Sequence, residues 1–111
     1  MLSKQNRLER SEYDLVFKKG RRIRGKNFSL IILPSENKNE PSQIGIIVTK
    51  KVFKKAVDRN KLKRQIRNTV NRFILKTLTS GQKIVVMAFP APKPEKYQEI
   101  KEDLIILFSK I

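Results

Sequence analysis

Two short apolar runs, residues 44–49 (IGIIVT) and 84–89 (IVVMAF), bracket a stretch in which apolar side chains return every third or fourth position. Leu62, Ile66, Val70 and Phe73 share one stripe of a helix, while the flanking runs have strand length. Strand, helix, strand in that order predicts a parallel crossover unit. A chain that must bury two such strands and one helix stripe is confined to layered packing. Residues 28–33 (FSLIIL) add a strand, and residues 21–24 add a short edge strand that turns at Gly25-Lys26. Residues 84–89 are nearly continuous in apolar side chains, as a central strand is. Tyr13, Leu15, Val16 and Phe17 belong to a first helix, with Ser11 and Asp14 in capping-box spacing and Gly20 as its stop. Tyr97, Ile100, Leu104, Leu107, Phe108 and Ile111 are spaced for a last helix. A polar loop fills residues 34–43, and Pro90, Pro92 and Pro94 break the chain after the third long strand. The expected fold is α+β, one domain over residues 1–111, a mixed sheet with helices mainly on one face.

The central helix is unusual in its charge. Residues 50–67 (KKVFKKAVDRNKLKRQIR) hold nine Lys or Arg and one acid, Asp58. The helix is expected from Asp58, as N-cap, to about Leu78, ending at Ser80-Gly81. Asn60, Lys63, Arg64 and Arg67 fall within an arc of about 100° beside the apolar stripe. Arg59, Lys61, Lys63 and Arg64 crowd the first two turns, where the helix dipole already places partial positive charge. A helix selected for stability alone carries acids there, so the arrangement points to an external polyanion.

Composition agrees. The chain has 26 Lys+Arg and 10 Asp+Glu, a formal charge of +16 on 111 residues. The excess is local: residues 18–72 hold 17 basic and 3 acidic residues, whereas residues 90–111 hold four of each. Such asymmetry points first to nucleic acid and second to an anionic membrane. With no Cys and no His, the chain has no disulfide framework, no thiolate and no imidazole base. Its acids show no metal-ligand spacing. No apolar h-region opens the chain and no run reaches membrane-spanning length, which reads as a soluble, cytoplasmic protein.

The strand ending in Lys50-Lys51, then Ala56-Val57, then Arg59-Asn60-x-x-Lys63-Arg64-x-x-Arg67 on a helix, resembles the protein subunit of bacterial ribonuclease P. Asn6-Arg7-Leu8, Tyr13, Val16-Phe17, Gly20 and Phe28 extend the resemblance over residues 6–111 in element order. It differs at Lys61, where the family usually has arginine, and at Ile31, where an aromatic is common. The resemblance implies a two-layer αβββαβα sandwich, ribosomal-protein-S5-domain-2-like, with a mixed four-stranded sheet and a left-handed βαβ crossover where generic rules expect a right-handed one. It also implies a non-catalytic subunit that binds a catalytic RNA and the 5′ leader of precursor tRNA. That RNA, with Mg²⁺, cleaves the leader, and the protein binds no cofactor by itself.

For the RNA subunit the resemblance assigns Arg59, Asn60, Lys61, Lys63, Arg64 and Arg67, the same side chains that charge patterning singles out for phosphate contact. Arg59 sits above the apolar stripe and is compatible with either role. For the precursor-tRNA leader it assigns Tyr13, Phe17, Ile31, Lys50 and Lys51. Spacing alone leaves Tyr13 and Phe17 open between core packing and a stacking platform for bases. Phe28 shares a strand face with Leu30 and Ile32 and reads as core, while Ser29 and Ile31 take the other face. Lys50 and Lys51 point to opposite sides if their strand continues. Lys18, Lys19, Arg21, Arg22, Arg24 and Lys26 form a second basic patch.

Two other function classes share this electrostatics: a structural RNA-binding protein, such as a ribosomal protein, and an anionic-membrane binder. The latter is disfavoured by the absence of Trp and by the core-like apolar face of the basic helix. Self-repulsion predicts a marginally stable free protein that specific anions rescue. Millimolar sulfate or phosphate should raise the melting temperature more than chloride at equal ionic strength, measured by thermal circular dichroism. Equal shifts for all salts would mean screening without anion sites.

Overall fold

The computed structural model describes residues 4–36, 39–76, 78, 81–88 and 97–111, with no side-chain description at 97 and 98. Ser80, Phe89 and the prolines at 90, 92 and 94, used above as boundaries, lie outside these residues. The elements are α1 (Arg10–Lys19), β1 (Arg21–Arg24), β2 (Phe28–Pro34), β3 (Gln43–Ile47), α2 (Ala56–Thr69), β4 (Gln82–Ala88) and α3 (Tyr97–Phe108). The strands form one sheet in the order β1-β2-β4-β3, and the whole is the mixed α+β architecture expected.

β4 is the axis of the fold. It pairs antiparallel with β2, Leu30 opposite Val86, and parallel with β3, Ile46 opposite Val86. Its apolar run reflects burial on both faces. Ile84, Val86 and Ala88 face the main core with Leu62, Ile66 and Val70 of α2 and Leu104 and Leu107 of α3. Val85 faces a second, smaller cluster with Leu8, Val16 and Ile31. Thus α2 and α3 cover one face, and α1 covers part of the other.

The N-terminal segment extends the β3 edge. Arg7 makes a parallel bridge to Ile44, Leu8 N–H donates to Ile44 O at 3.1 Å, and Asn6 Nδ2 donates to Ser42 O at 2.9 Å. The β1–β2 turn closes through Gly25 N–H to Phe28 O, and is tied to α3 by Asn27 N–H donating to the Asp103 carboxylate at 2.8 Å. Gly81 precedes β4 with φ +80°, the left-handed region that glycine enters without a Cβ penalty.

Three local expectations are corrected. α1 starts at Arg10, with Glu9 in the capping position and no side-chain cap bond, so Ser11 and Asp14 are inside the helix. α2 starts at Ala56 after Lys55, which places Asp58 in the first turn. There its carboxylate still meets the positive end of the helix dipole. The third concerns Phe73. Residues Val70–Ile74 form a π-helical turn, closed by Leu75 N–H to Val70 O at 2.9 Å. The wider turn puts Ile74 in the core at 2% exposure and leaves Phe73 39% exposed. Lys101 Nζ lies 4.1 Å from the Phe73 ring centroid.

The π turn makes a measurable contrast. Ile74→Ala should destabilise by about 2–5 kcal/mol, as core truncations do, and Phe73→Ala by less than about 1 kcal/mol. Denaturant titration of both variants checks this; the reverse ranking would restore the uninterrupted stripe.

Candidate nucleic-acid interface

The first turns of α2 separate into two sides. Leu62, Ile66 and Thr69 are buried against the sheet and α3. Asn60, Lys61 and Arg64 are exposed, and Lys63 and Arg67 are half-buried. Among the described residues, Lys63, Arg64 and Arg67 have no acidic partner within ion-pair distance. Asn60, Lys63, Arg64 and Arg67 therefore share one uncompensated cationic arc. Lys61 stands about 60° beyond Arg64, at the margin of that arc. Val57 lies about 20° outside it, between Arg64 and Lys61, and is 74% exposed. It is an exposed aliphatic side chain set among lysines and arginines.

Arg59 is turned inward. Its Nη1 donates to Phe53 O at 3.0 Å and to Lys54 O at 2.8 Å. The segment it grips follows β3, which stops at Ile47. Val52 and Phe53 N–H both donate to Thr49 O, and Val52 is buried as an anchor. The alternation expected for a continuing strand is therefore lost at Lys50 and Lys51, which are both exposed in a turn. Lys50, Lys51, Lys54 and Lys55 line one depression together with Asp58. Charge run and strand parity did not reveal that Lys54 and Lys55 join the first pair, because the turn that gathers them depends on Val52.

Tyr13 and Phe17 lie one turn apart on α1, half-buried over the smaller apolar cluster beside Ile47 and Met87. Each ring has a packed part and an open part, so core and surface roles coexist. The seat of Tyr13 is Gly45: a Cβ there would come within 2.6 Å of the phenol Cζ and oxygen. Nothing in the spacing of α1 could expose this dependence on β3. Ile31 is corrected. It is fully buried between Val16 and Val85, and it reaches neither a ligand nor solvent while α1 is in place. Phe28 is fully buried in the main core, and Ser29 is buried as well.

The second basic patch occupies the far edge of the sheet. Arg21, Arg22 and Arg24 of β1 are exposed, as are Lys18, Lys19 and Lys26. Lys83 is set apart from all of these by its 2.7 Å ion pair with Glu12. Among the described residues no group of three or more His, Cys, Asp or Glu converges as a metal site would require.

The contact between Tyr13 and Gly45 is open to a double-mutant cycle. Gly45→Ala should displace the ring, and the coupling to Tyr13→Ala should be on the order of 1 kcal/mol. Additive effects on unfolding free energy would show that the ring does not rest there.

Comparison with known proteins matches this architecture over its whole length. The family model described as Ribonuclease P matches residues 2–111. The ribonuclease P protein component of Pseudanabaena sp. (strain PCC 6903) is 43% identical over 111 residues, covering 99% of this chain and 94% of that protein. That of Bacillus cereus (strain Q1) is 29% identical over 98% of this chain and 93% of the relative. Among solved structures, the ribonuclease P protein of Thermotoga maritima superposes with a TM-score of 0.83 at 28% identity, covering 95% and 96% of the two chains. The Staphylococcus aureus protein gives 0.79 at 27%, covering 96% and 95%. Sequence and fold together place this chain in the bacterial ribonuclease P protein component family.

Proposed function

We propose that this chain is the RNA-binding, non-catalytic subunit of a ribonuclease P that removes the 5′ leader of precursor tRNA in the cytoplasm. The observation that carries this reading is the cationic arc of Asn60, Lys63, Arg64 and Arg67, which no acid among the described residues neutralises. A helix with that arc and a positive dipole end is complete only against phosphates. The arc, with Lys61 at its margin, is assigned to the catalytic RNA. The open parts of Tyr13 and Phe17, with Lys50 and Lys51, are assigned to the leader: the rings stack on unpaired bases and the ammonium groups hold its backbone.

The chemistry of the reaction is assigned to the RNA. The protein has no His or Cys to serve as base or nucleophile. Its described acids do not fit a Mg²⁺ site, being dispersed among a large excess of cations. Mg²⁺ in this reading is held by the RNA. The protein neutralises RNA charge and lengthens the substrate contact beyond the mature tRNA.

The purified chain alone should leave precursor tRNA intact, and with ribonuclease P RNA and Mg²⁺ it should raise turnover. Arg64→Ala and Arg67→Ala should weaken assembly and flatten the logarithmic salt dependence by about 0.7–0.9 for each phosphate no longer neutralised. Phe17→Ala, folded by circular dichroism, should assemble normally. It should lose about 1–3 kcal/mol of preference for precursor over mature tRNA. Undiminished discrimination by that variant would remove the leader platform. Copurification with ribosomal subunits instead of a tRNA-cleaving RNA would favour a purely structural role.

A further inference from the structure

Arg59 stands in the same motif as Arg64 and Arg67 but does something different with its charge. Its backbone N–H donates to Lys55 O at 3.2 Å, and its Nη1 donates to Phe53 O and Lys54 O. One residue thus holds three successive carbonyls, and both hydrogens of Nη1 are committed. The helical position agrees: Arg59 lies about 60° from Leu62, on the side of the apolar stripe, where Lys63, Arg64 and Arg67 turn away. A cation near a helix N-terminus is normally unfavourable. Here the carbonyl oxygens ahead of the helix compensate it from within the protein.

The segment so held is the one that needs holding. Lys50, Lys51, Lys54 and Lys55 are all exposed and border one depression. Four ammonium groups in six residues repel one another, and a loose loop would spread them apart. On one side Val52 is buried in the core and bonded to Thr49. On the other side Arg59 supplies the second fixed point. A loop ordered in the free protein spares the ordering entropy that RNA binding would otherwise have to overcome.

We propose that Arg59 is a positioning residue, which presents the four lysines of residues 50–55 to an RNA backbone as a preformed phosphate site and is not itself a phosphate contact. This extension rests on the RNA-binding reading above. Arg59→Met removes the guanidinium while leaving the four lysines in place. In the free variant, amide hydrogen exchange at Val52 and Phe53 should accelerate roughly tenfold or more, while Val85 and Val86 of β4 stay as protected as in the parent. Binding of precursor tRNA by the enzyme reconstituted with ribonuclease P RNA, at a temperature where both proteins are fully folded, should weaken roughly tenfold relative to mature tRNA. The logarithmic salt slope should stay within ~0.5 of the parent's, because no phosphate partner is removed. A purely structural role would lower the melting temperature without changing affinity below it. Unchanged exchange at Val52 and Phe53, unchanged affinity, or a slope reduced by a full phosphate's worth overturns the assignment. If the methionine variant does not fold, Arg59→Gln is tested with the same expected outcomes. Failure of the parent chain to assemble with ribonuclease P RNA would instead overturn the proposed function, and this extension with it.

Discussion

Parallel pairing of β3 with β4 is the constraint from which the working surfaces follow. Two parallel neighbours need a crossover, and α2 with its π-helical turn is part of that crossover. Because β4 is buried on both faces, α2 must lay its Leu62–Ile66 stripe against one of them, and its remaining surface is turned outward. The start of α2 then lies just past the end of β3, separated only by the turn that Val52 anchors and Arg59 grips. Helix face and lysine turn are thereby built as one neighbourhood. The opposite face of β4 supports Val85, over which α1 brings Tyr13 and Phe17. The sheet thus keeps the cationic helix face and the two half-buried rings on opposite sides without a second domain's worth of chain.

Much of this was legible in the sequence, for physical reasons that differ by element. Strands β2, β3 and β4 announced themselves because fully buried strands need long apolar runs. The cationic arc was legible because a helix has a fixed angle per residue, so Asn60, Lys63, Arg64 and Arg67 must project together wherever the helix starts. The start itself was not: Asp58 and Ser11 look like caps, but each lies within the first helical turn, where an acid or a small polar residue is also tolerated. Phe73 was misplaced because a period of 3.6 residues was carried through a turn that is wider. The resemblance assigns Ile31 to the leader; strand alternation gives its face but not what covers that face. α1 closes over Ile31 and leaves the rims of Tyr13 and Phe17 open.

The charged residues divide by whether the protein itself satisfies them. Lys83 has Glu12, and Arg59 has backbone carbonyls. Lys63, Arg64 and Arg67 have no acidic partner among the described residues. Motif spacing cannot draw this distinction, since Arg59 and Arg64 are the same residue type five positions apart. Only the fold shows which guanidinium is occupied.

The two margins of the sheet are finished differently. At β3 the Arg7–Leu8 segment lies along the outer side and takes up part of its hydrogen-bonding row. At β1 no strand follows among the described residues, and Arg21, Arg22 and Arg24 line the exposed row instead. Two such margins approaching each other would bring arginines against arginines, so newly made molecules are kept from zipping together into strand-paired aggregates. A polyanion would meet no such repulsion at this margin. The β1 edge is thus guarded against copies of itself by charge, where the β3 edge is guarded by chain.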